Sequence, residues 1–233
     1  MLLLGIDTST PRVSVAIGAD GDVAGEIALV GGQRHAEQLA PAIQYLCDET
    51  GTRLDHLAAI AVGVGPGLFT GLRVGVTTAK VMAQSLRIPV VPVASLDLVA
   101  YPLRFASRAI VAVLDARRRE VFYAMYVPVP GGVQRVSEYE VGSPDDLACE
   151  LSARGDEVLL AGEGAVLHRD RFAGLDRVEL TGPGRSWPDA SSLLELAAAR
   201  YQREEFCAAS EVAPVYLRKS DAEIELERVA SVT

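Results

Sequence analysis

The stretch LLLGIDTSTPRVSVAI, residues 2–17, decides the fold because it returns in altered form as AIVAVLDARRREVFYAM at residues 109–125. In each copy an apolar run ends on an aspartate, Asp7 or Asp115. A polar tip follows, and an alternating stretch begins six residues later, at Val13 or Val121. Short apolar runs bounded by turn residues read as strands, and period-2 alternation reads as a half-buried neighbour, so each copy opens with a hairpin. The offset between the copies is 108 residues.

Outward from that hairpin, Val23 to Leu29 adds a third strand after the Gly-Asp turn chemistry of Gly18 to Asp22. A helical period from about Gln33 to Thr50 places Leu39, Ile43, Leu46 and Cys47 on one stripe and stops at Gly51. Pro41, inside it, is expected to bend the helix or mark its true first turn. Ala58 to Val64 reads as a buried strand, Gly71 to Leu86 as a second helix, and Val90 to Val93 as a short strand. In the second half Val133 to Tyr139 alternates, a helix runs from a Ser143 cap with Pro144 to about Ala153, and Val158 to Leu160 gives one more strand. A helix from Ala190 to Arg203 would close the second copy. The expectation is an α/β fold of two βββαβα units, with lobes at residues 1–105 and 106–233 and a C-terminal helix able to return to the first lobe.

The 233 residues carry 22 basic and 31 acidic side chains, a net charge of −9, and 49% are hydrophobic. A chain of this length builds its own cores. A domain that grips nucleic-acid phosphates alone should be basic, so any nucleic-acid role needs a partner to supply positive surface. Only Lys80 and Lys219 are lysines, a composition bias that lowers the weight of any single arginine. Cys47, Cys149 and Cys207 form no C-x-x-C pair, and His35, His56 and His168 form no zinc pair, which fits a reduced, cytoplasmic setting without a metal. The N-terminal apolar run is too short for a signal peptide or a membrane span.

A duplicated βββαβα unit is the layout of the actin-like, sugar-kinase and Hsp70-type (ASKHA) ATPases, in which nucleotide sits between the halves. By that resemblance Asp7, Thr8 and Ser9 are candidate nucleotide-binding residues. The matching tip, Asp115-Ala-Arg-Arg-Arg119, lacks glycine and carries three bulky cations, and reads either as a solvated turn or as an anion contact. The nucleotide cleft is therefore expected to be degenerate.

Gly63-Val-Gly-Pro-Gly-Leu-Phe-Thr-Gly-Leu-Arg-Val-Gly75 joins a strand to a helix but matches neither G-x-G-x-x-G nor G-x-x-x-x-G-K-[ST]. Gly71, Gly75, Ala79 and Ala83 recur every four residues and line one ridge of the helix with small side chains. Such a ridge packs closely against either this chain's own sheet or another subunit. Gly71, Gly75 and Ala79, with Leu39 and Ile43 on the neighbouring helix, are the candidate interface residues. Ala36 and Ala40 also lie four apart.

LLLGIDTSTPRVSVAIG (2–18), HAEQLAPAIQYL (35–46), GVGPGLFTGLRVGVTTAKVMA (63–83), LDARRREVFYAMY (114–126) and PVYLR (214–218) together resemble the bacterial TsaB family, also called YeaZ. The resemblance covers nearly the whole chain, and its GPG-x-FTGLR-x-G block is highly specific. It implies an actin-like two-lobed fold and a part in making N6-threonylcarbamoyladenosine beside the anticodon of tRNAs reading codons that start with A. It further implies a non-catalytic subunit that binds TsaD, the transferase, meets the ATPase TsaE through that complex, touches tRNA only indirectly, and pairs with itself in isolation. TsaD carries two metal-binding histidines, eight and four positions before a proline. Counted back from Pro41, those positions hold Gln33 and Glu37.

His35 lies between Gln33 and Glu37 on another helix face, where a capping or surface role is expected. An older label for the wider family is a glycoprotein endopeptidase, but there is no G-x-S-x-G, and Ser95 reads as a helix cap. No cofactor is expected to be required, with ATP or ADP left to a partner-completed site. The rival reading is a small actin-like ATPase or phosphotransferase working through Asp7, Thr8 and Ser9. The acidic tail from Ser220 to Thr233 is expected either to stay disordered or to pack late.

Overall fold

The computed structural model describes residues 1–32 and 34–218, so the tail from Ser220 lies outside the described residues. The first half runs β1 (Leu2–Asp7), β2 (Arg12–Ala19), β3 (Asp22–Val30), α1 (His35–Thr50), β4 (Ala59–Gly63), α2 (Phe69–Leu86), β5 (Val90–Val93) and α3 (Ser95–Ala100). The second half runs β6 (Ala109–Arg117), β7 (Glu120–Val129), β8 (Gly132–Arg135), β9 (Glu140–Gly142), α4 (Pro144–Arg154), β10 (Val158–Ala161), α5 (Glu163–Leu167), α6 (Arg169–Phe172), β11 (Val178–Leu180) and α7 (Ala190–Gln202). The first sheet has the order β3-β2-β1-β4-β5 and the second β11-β10-β6-β7-β8, the same order of first, second and third strands around the leading one. In each sheet the opening hairpin is antiparallel and the later strands join the leading strand in parallel. The duplication read from residues 2–17 and 109–125 is thus a duplication of topology.

Period-2 alternation sends successive residues of one strand to opposite faces. Leu4 and Ile6 of β1 meet Leu39, Ile43 and Leu46 of α1 and Val76 and Ala79 of α2. Leu3, with Ala16, Ala59 and Ala61, meets Leu193, Leu194 and Ala197 of α7. The helix expected to close the second copy therefore packs on the first sheet, where alanines leave room for a close helix. The converse holds for α3, whose Leu96, Val99 and Ala100 pack on Ile110, Ala112 and Leu114 of the second sheet. Each half lends its last helix to the other, and burial of these leucines contributes about 2 kcal/mol apiece. The other face of the second sheet is covered by Leu147 and Leu151 of α4, Ala165 of α5 and Phe172 of α6.

Three local expectations change. Pro41 sits in the second turn of α1, not at its start, and the helix continues to Gly51, whose φ of 63° forms a left-handed C-cap. The stretch from Val133 leaves the ladder after Arg135, because Ser137 turns its hydroxyl to the Met125 N–H and the chain crosses to the short β9. Ser95 does not cap α3; the cap residue is Ala94 and makes no side-chain cap bond. The Ser143 cap on α4 forms as read, its Oγ accepting the Asp146 N–H at 3.0 Å. Among the described residues no helix is long and apolar enough to cross a membrane.

Candidate functional site

The structure brings Asp7, Thr8 and Ser9 together with Gly71 and Gly75, but inside the chain. Asp7, Thr8, Ser9 and Thr10 are all at most 1% exposed. Asp7 Oδ1 accepts the Ser9 N–H at 3.1 Å and the Ser9 hydroxyl at 2.9 Å, and the Ser95 hydroxyl reaches Oδ2 at 3.4 Å. Ser95 Oγ in turn accepts the Gly65 N–H at 3.1 Å, so this serine ties the aspartate to the glycine-rich turn. Burial dominates the electrostatics and raises the Asp7 carboxyl to about 6, against the lowering pull of the Ser9 bonds.

The glycines explain how that tip is sealed. A Cβ on Gly67 would stand 2.3 Å from the Ser9 carbonyl oxygen, one on Gly71 2.1 Å from the Thr8 carbonyl oxygen, and one on Gly75 2.2 Å from Thr8 Oγ1. Thr8 Oγ1 donates to the Gly71 carbonyl at 2.7 Å, and the Leu68 N–H donates to the Ser9 carbonyl at 2.7 Å. Glycine spacing that suits a phosphate loop here admits the chain's own hairpin tip. The described residues of the first half offer a nucleotide no open backbone cradle.

The same packing takes up the candidate interface residues. Leu39, Ile43, Gly71, Gly75 and Ala79 are buried against this chain's own strands and tip. Of these five, Leu39 also lines a groove of about 330 Å³ between α1 and α2, together with Ala36, Ala40, Arg73, Val74, Thr77 and Thr78. The reading of His35 is corrected. It is 3% exposed, and its Nε2 lies 2.7 Å from the Thr10 carbonyl, so it braces the tip from α1 rather than facing solvent.

In the second half the arginine tip takes left-handed backbone at Arg117, Arg118 and Arg119, with φ of 63°, 53° and 63°. Asp115 is held beneath it. Its Oδ1 accepts the Arg117 N–H at 2.9 Å, and its own N–H donates to Glu163 Oε2 at 2.9 Å. Glu163 was not flagged by sequence. Burial first, then the nearby Asp115 charge, push its carboxyl up to about 8, although the Asp115 N–H bond pulls the other way. Its signal was a carboxylate between Gly162 and Gly164 at a strand end, where a Cβ on Gly162 would meet the Val113 carbonyl oxygen. Among the described residues no three His, Cys, Asp or Glu side chains come together as a metal ligand set.

A family model described as TsaD, tRNA N6-adenosine threonylcarbamoyltransferase, matches residues 27–226. The tRNA threonylcarbamoyladenosine biosynthesis protein TsaB of Haemophilus influenzae is 30% identical, and the match covers 94% of this chain and 94% of that protein. The chain belongs to the TsaB family. Its structure agrees with that of YeaZ from Pseudomonas aeruginosa at a TM-score of 0.81 and 31% identity, over 93% of this chain and 99% of that one. The TsaB family takes part in tRNA threonylcarbamoyladenosine biosynthesis. The activator of the 2-hydroxyisocaproyl-CoA dehydratase from Clostridium difficile, with bound ADPNP, matches at a TM-score of 0.52 and 10% identity, covering 93% of this chain and all of that one. That likeness extends to fold alone, and the TsaB-family chain shares the actin-like class with it.

Proposed function

We propose that this chain is the non-catalytic docking subunit of a TsaD-type threonylcarbamoyl transferase, and that the partner lies along the α1–α2 groove. The observation that carries the reading is the sealed first tip. Thr8 and Ser9 spend their donors on Gly71 and Asp7, and Gly67, Gly71 and Gly75 accommodate protein where a nucleotide enzyme needs space for phosphate. Gln33 and Glu37, standing where the resemblance places the transferase's metal histidines, support the same division of labour. The groove supports docking because its small side chains, Ala36 and Ala40 with Thr77 and Thr78, allow a partner helix to approach closely.

The chain needs no cofactor of its own, and ATP or ADP binds only where a partner completes a site. TsaE joins through the complex, and tRNA phosphates belong to the partner, in keeping with the charge of −9. Without that partner, the same groove pairs two copies of this chain. The setting is cytoplasmic. A self-sufficient ATPase has less support, since Asp7 is 1% exposed and its oxygens are engaged by Ser9 and Ser95.

The test is size-exclusion co-elution with TsaD. An Ala40→Arg/Thr77→Arg variant, altered only at exposed positions, should keep its melting temperature and lose the complex. Unchanged co-elution of the folded variant would sink the docking assignment.

A further inference from the structure

The last described segment begins in one lobe and ends on the other. Val212 is buried in the core of the first lobe, and Lys80 Nζ donates to its carbonyl at 2.9 Å. The Val215 N–H donates to the Val64 carbonyl at 2.7 Å, just before the glycine-rich turn. The Tyr216 ring then lies 5.1 Å from the Phe69 ring, at the start of α2. One residue further, Leu217 packs on the apolar cluster of the second sheet, and Arg218 donates to Glu120 Oε2 at 2.8 Å, at the foot of β7.

We propose that residues 212–218 form a strap that locks the angle between the two lobes. The exchanged helices already join the lobes elsewhere: Asp97 of α3 accepts the Tyr126 hydroxyl of β7 at 2.9 Å and is paired with Arg200 of α7. Tyr126 and Glu120 are six residues apart on β7. At about 3.3 Å per residue, the two ties grip that strand about 20 Å apart. Where two lobes are tied at one end only, the segments that join them can act as a hinge. A second tie at the far end of the same strand removes that freedom.

The strap also reaches the docking groove. Arg73, which borders the groove, stands 4.0 Å from the centroid of Phe69, and Phe69 carries Tyr216. The orientation of the second lobe is thereby set relative to the α1–α2 face before anything docks there. This inference concerns the isolated chain and stands whether or not TsaD is its partner.

The test is a spin-label distance measurement on the full chain, with labelled chain diluted in unlabelled chain so that only distances within one copy are read. One label sits on the natural, exposed Cys149 of α4 and one on a Glu49→Cys site of α1, with Cys47→Ala and Cys207→Ser to remove the other two thiols. The parent should give one narrow distance distribution. Arg218→Glu should widen it by at least about twofold as lobe motion is released, and Glu120→Arg/Arg218→Glu should narrow it again by restoring the pair with reversed sign. A distribution as narrow as the parent's in both Arg218→Glu and Tyr216→Ala/Arg218→Glu would overturn the strap. So would a charge reversal that fails to restore the narrow distribution.

Discussion

Gly75 and Thr8 are in contact across 67 residues of chain, so closely that a Cβ on Gly75 would stand 2.2 Å from the Thr8 hydroxyl oxygen. The hydroxyl is held there by its 2.7 Å bond to the Gly71 carbonyl, one helical turn earlier. One helix ridge and one hairpin tip therefore define each other. Gly75→Ala gains about 1 kcal/mol of helix propensity but overpacks a rigid site at a cost of about 1–3 kcal/mol, so the variant should be less stable by chemical denaturation. Thr8→Ala removes the obstructing oxygen, and the double variant should lose less than the two single losses combined. Strict additivity would contradict the contact.

Glu163 predicts a pH dependence of defined sign. Its carboxyl rises from 4.5 to about 8 on folding, so between those values the native state holds a proton that the unfolded chain has released. Stability falls as pH rises through that window, and Asp7, raised from 3.8 to about 6, adds a loss of the same sign over its lower range. Glu163→Gln keeps an acceptor for the Asp115 N–H and has no proton to lose. It should match the parent near pH 5 and exceed it by a few kcal/mol near pH 9, at about 1.4 kcal/mol for each tenfold change in proton affinity on folding. Denaturant titrations at both pH values give the answer, and equal curves at pH 9 would refute the assignment.

Asp97 is the hub of the helix exchange. It accepts the hydroxyls of Tyr126 and Tyr139 and pairs with Arg200 at 3.1 Å, while Arg200 also donates to the Pro92 carbonyl of β5. Burial and the aspartate both raise the two phenols, so neither tyrosine ionises near neutrality. Asp97→Ala leaves three donors without their acceptor and should cost about 3 kcal/mol. Asp97→Asn should cost less, because its amide oxygen still accepts. Equal melting temperatures for Asp97→Ala and the parent would show that the hub contributes nothing.

The strands and the internal repeat were legible because apolar runs ending on Asp7 and Asp115 carry a local period. The return of α7 to the first sheet was open in the sequence but the crossing of α3 to the second was not, because a helix stripe of leucine and alanine does not say which of two similar sheets it covers. The Gly71–Gly75 ridge was seen, but four-residue spacing of small side chains serves an interior and an interface alike. In this chain the ridge receives Thr8. His35 looked superficial for a related reason: its bond to Thr10 is set by how the hairpin tip meets α1, a long-range fact. Glu163 was missed because a lone carboxylate between two glycines has no signature until burial is known.

We propose that this chain serves threonylcarbamoyladenosine formation by docking rather than by chemistry of its own. Nucleoside mass spectrometry of tRNA from cells depleted of the protein tests it most directly. Depletion should remove the modified nucleoside, and the parent chain and Asp7→Asn should restore it while Ala40→Arg/Thr77→Arg should not. Unchanged levels of the modified nucleoside after depletion would contradict it.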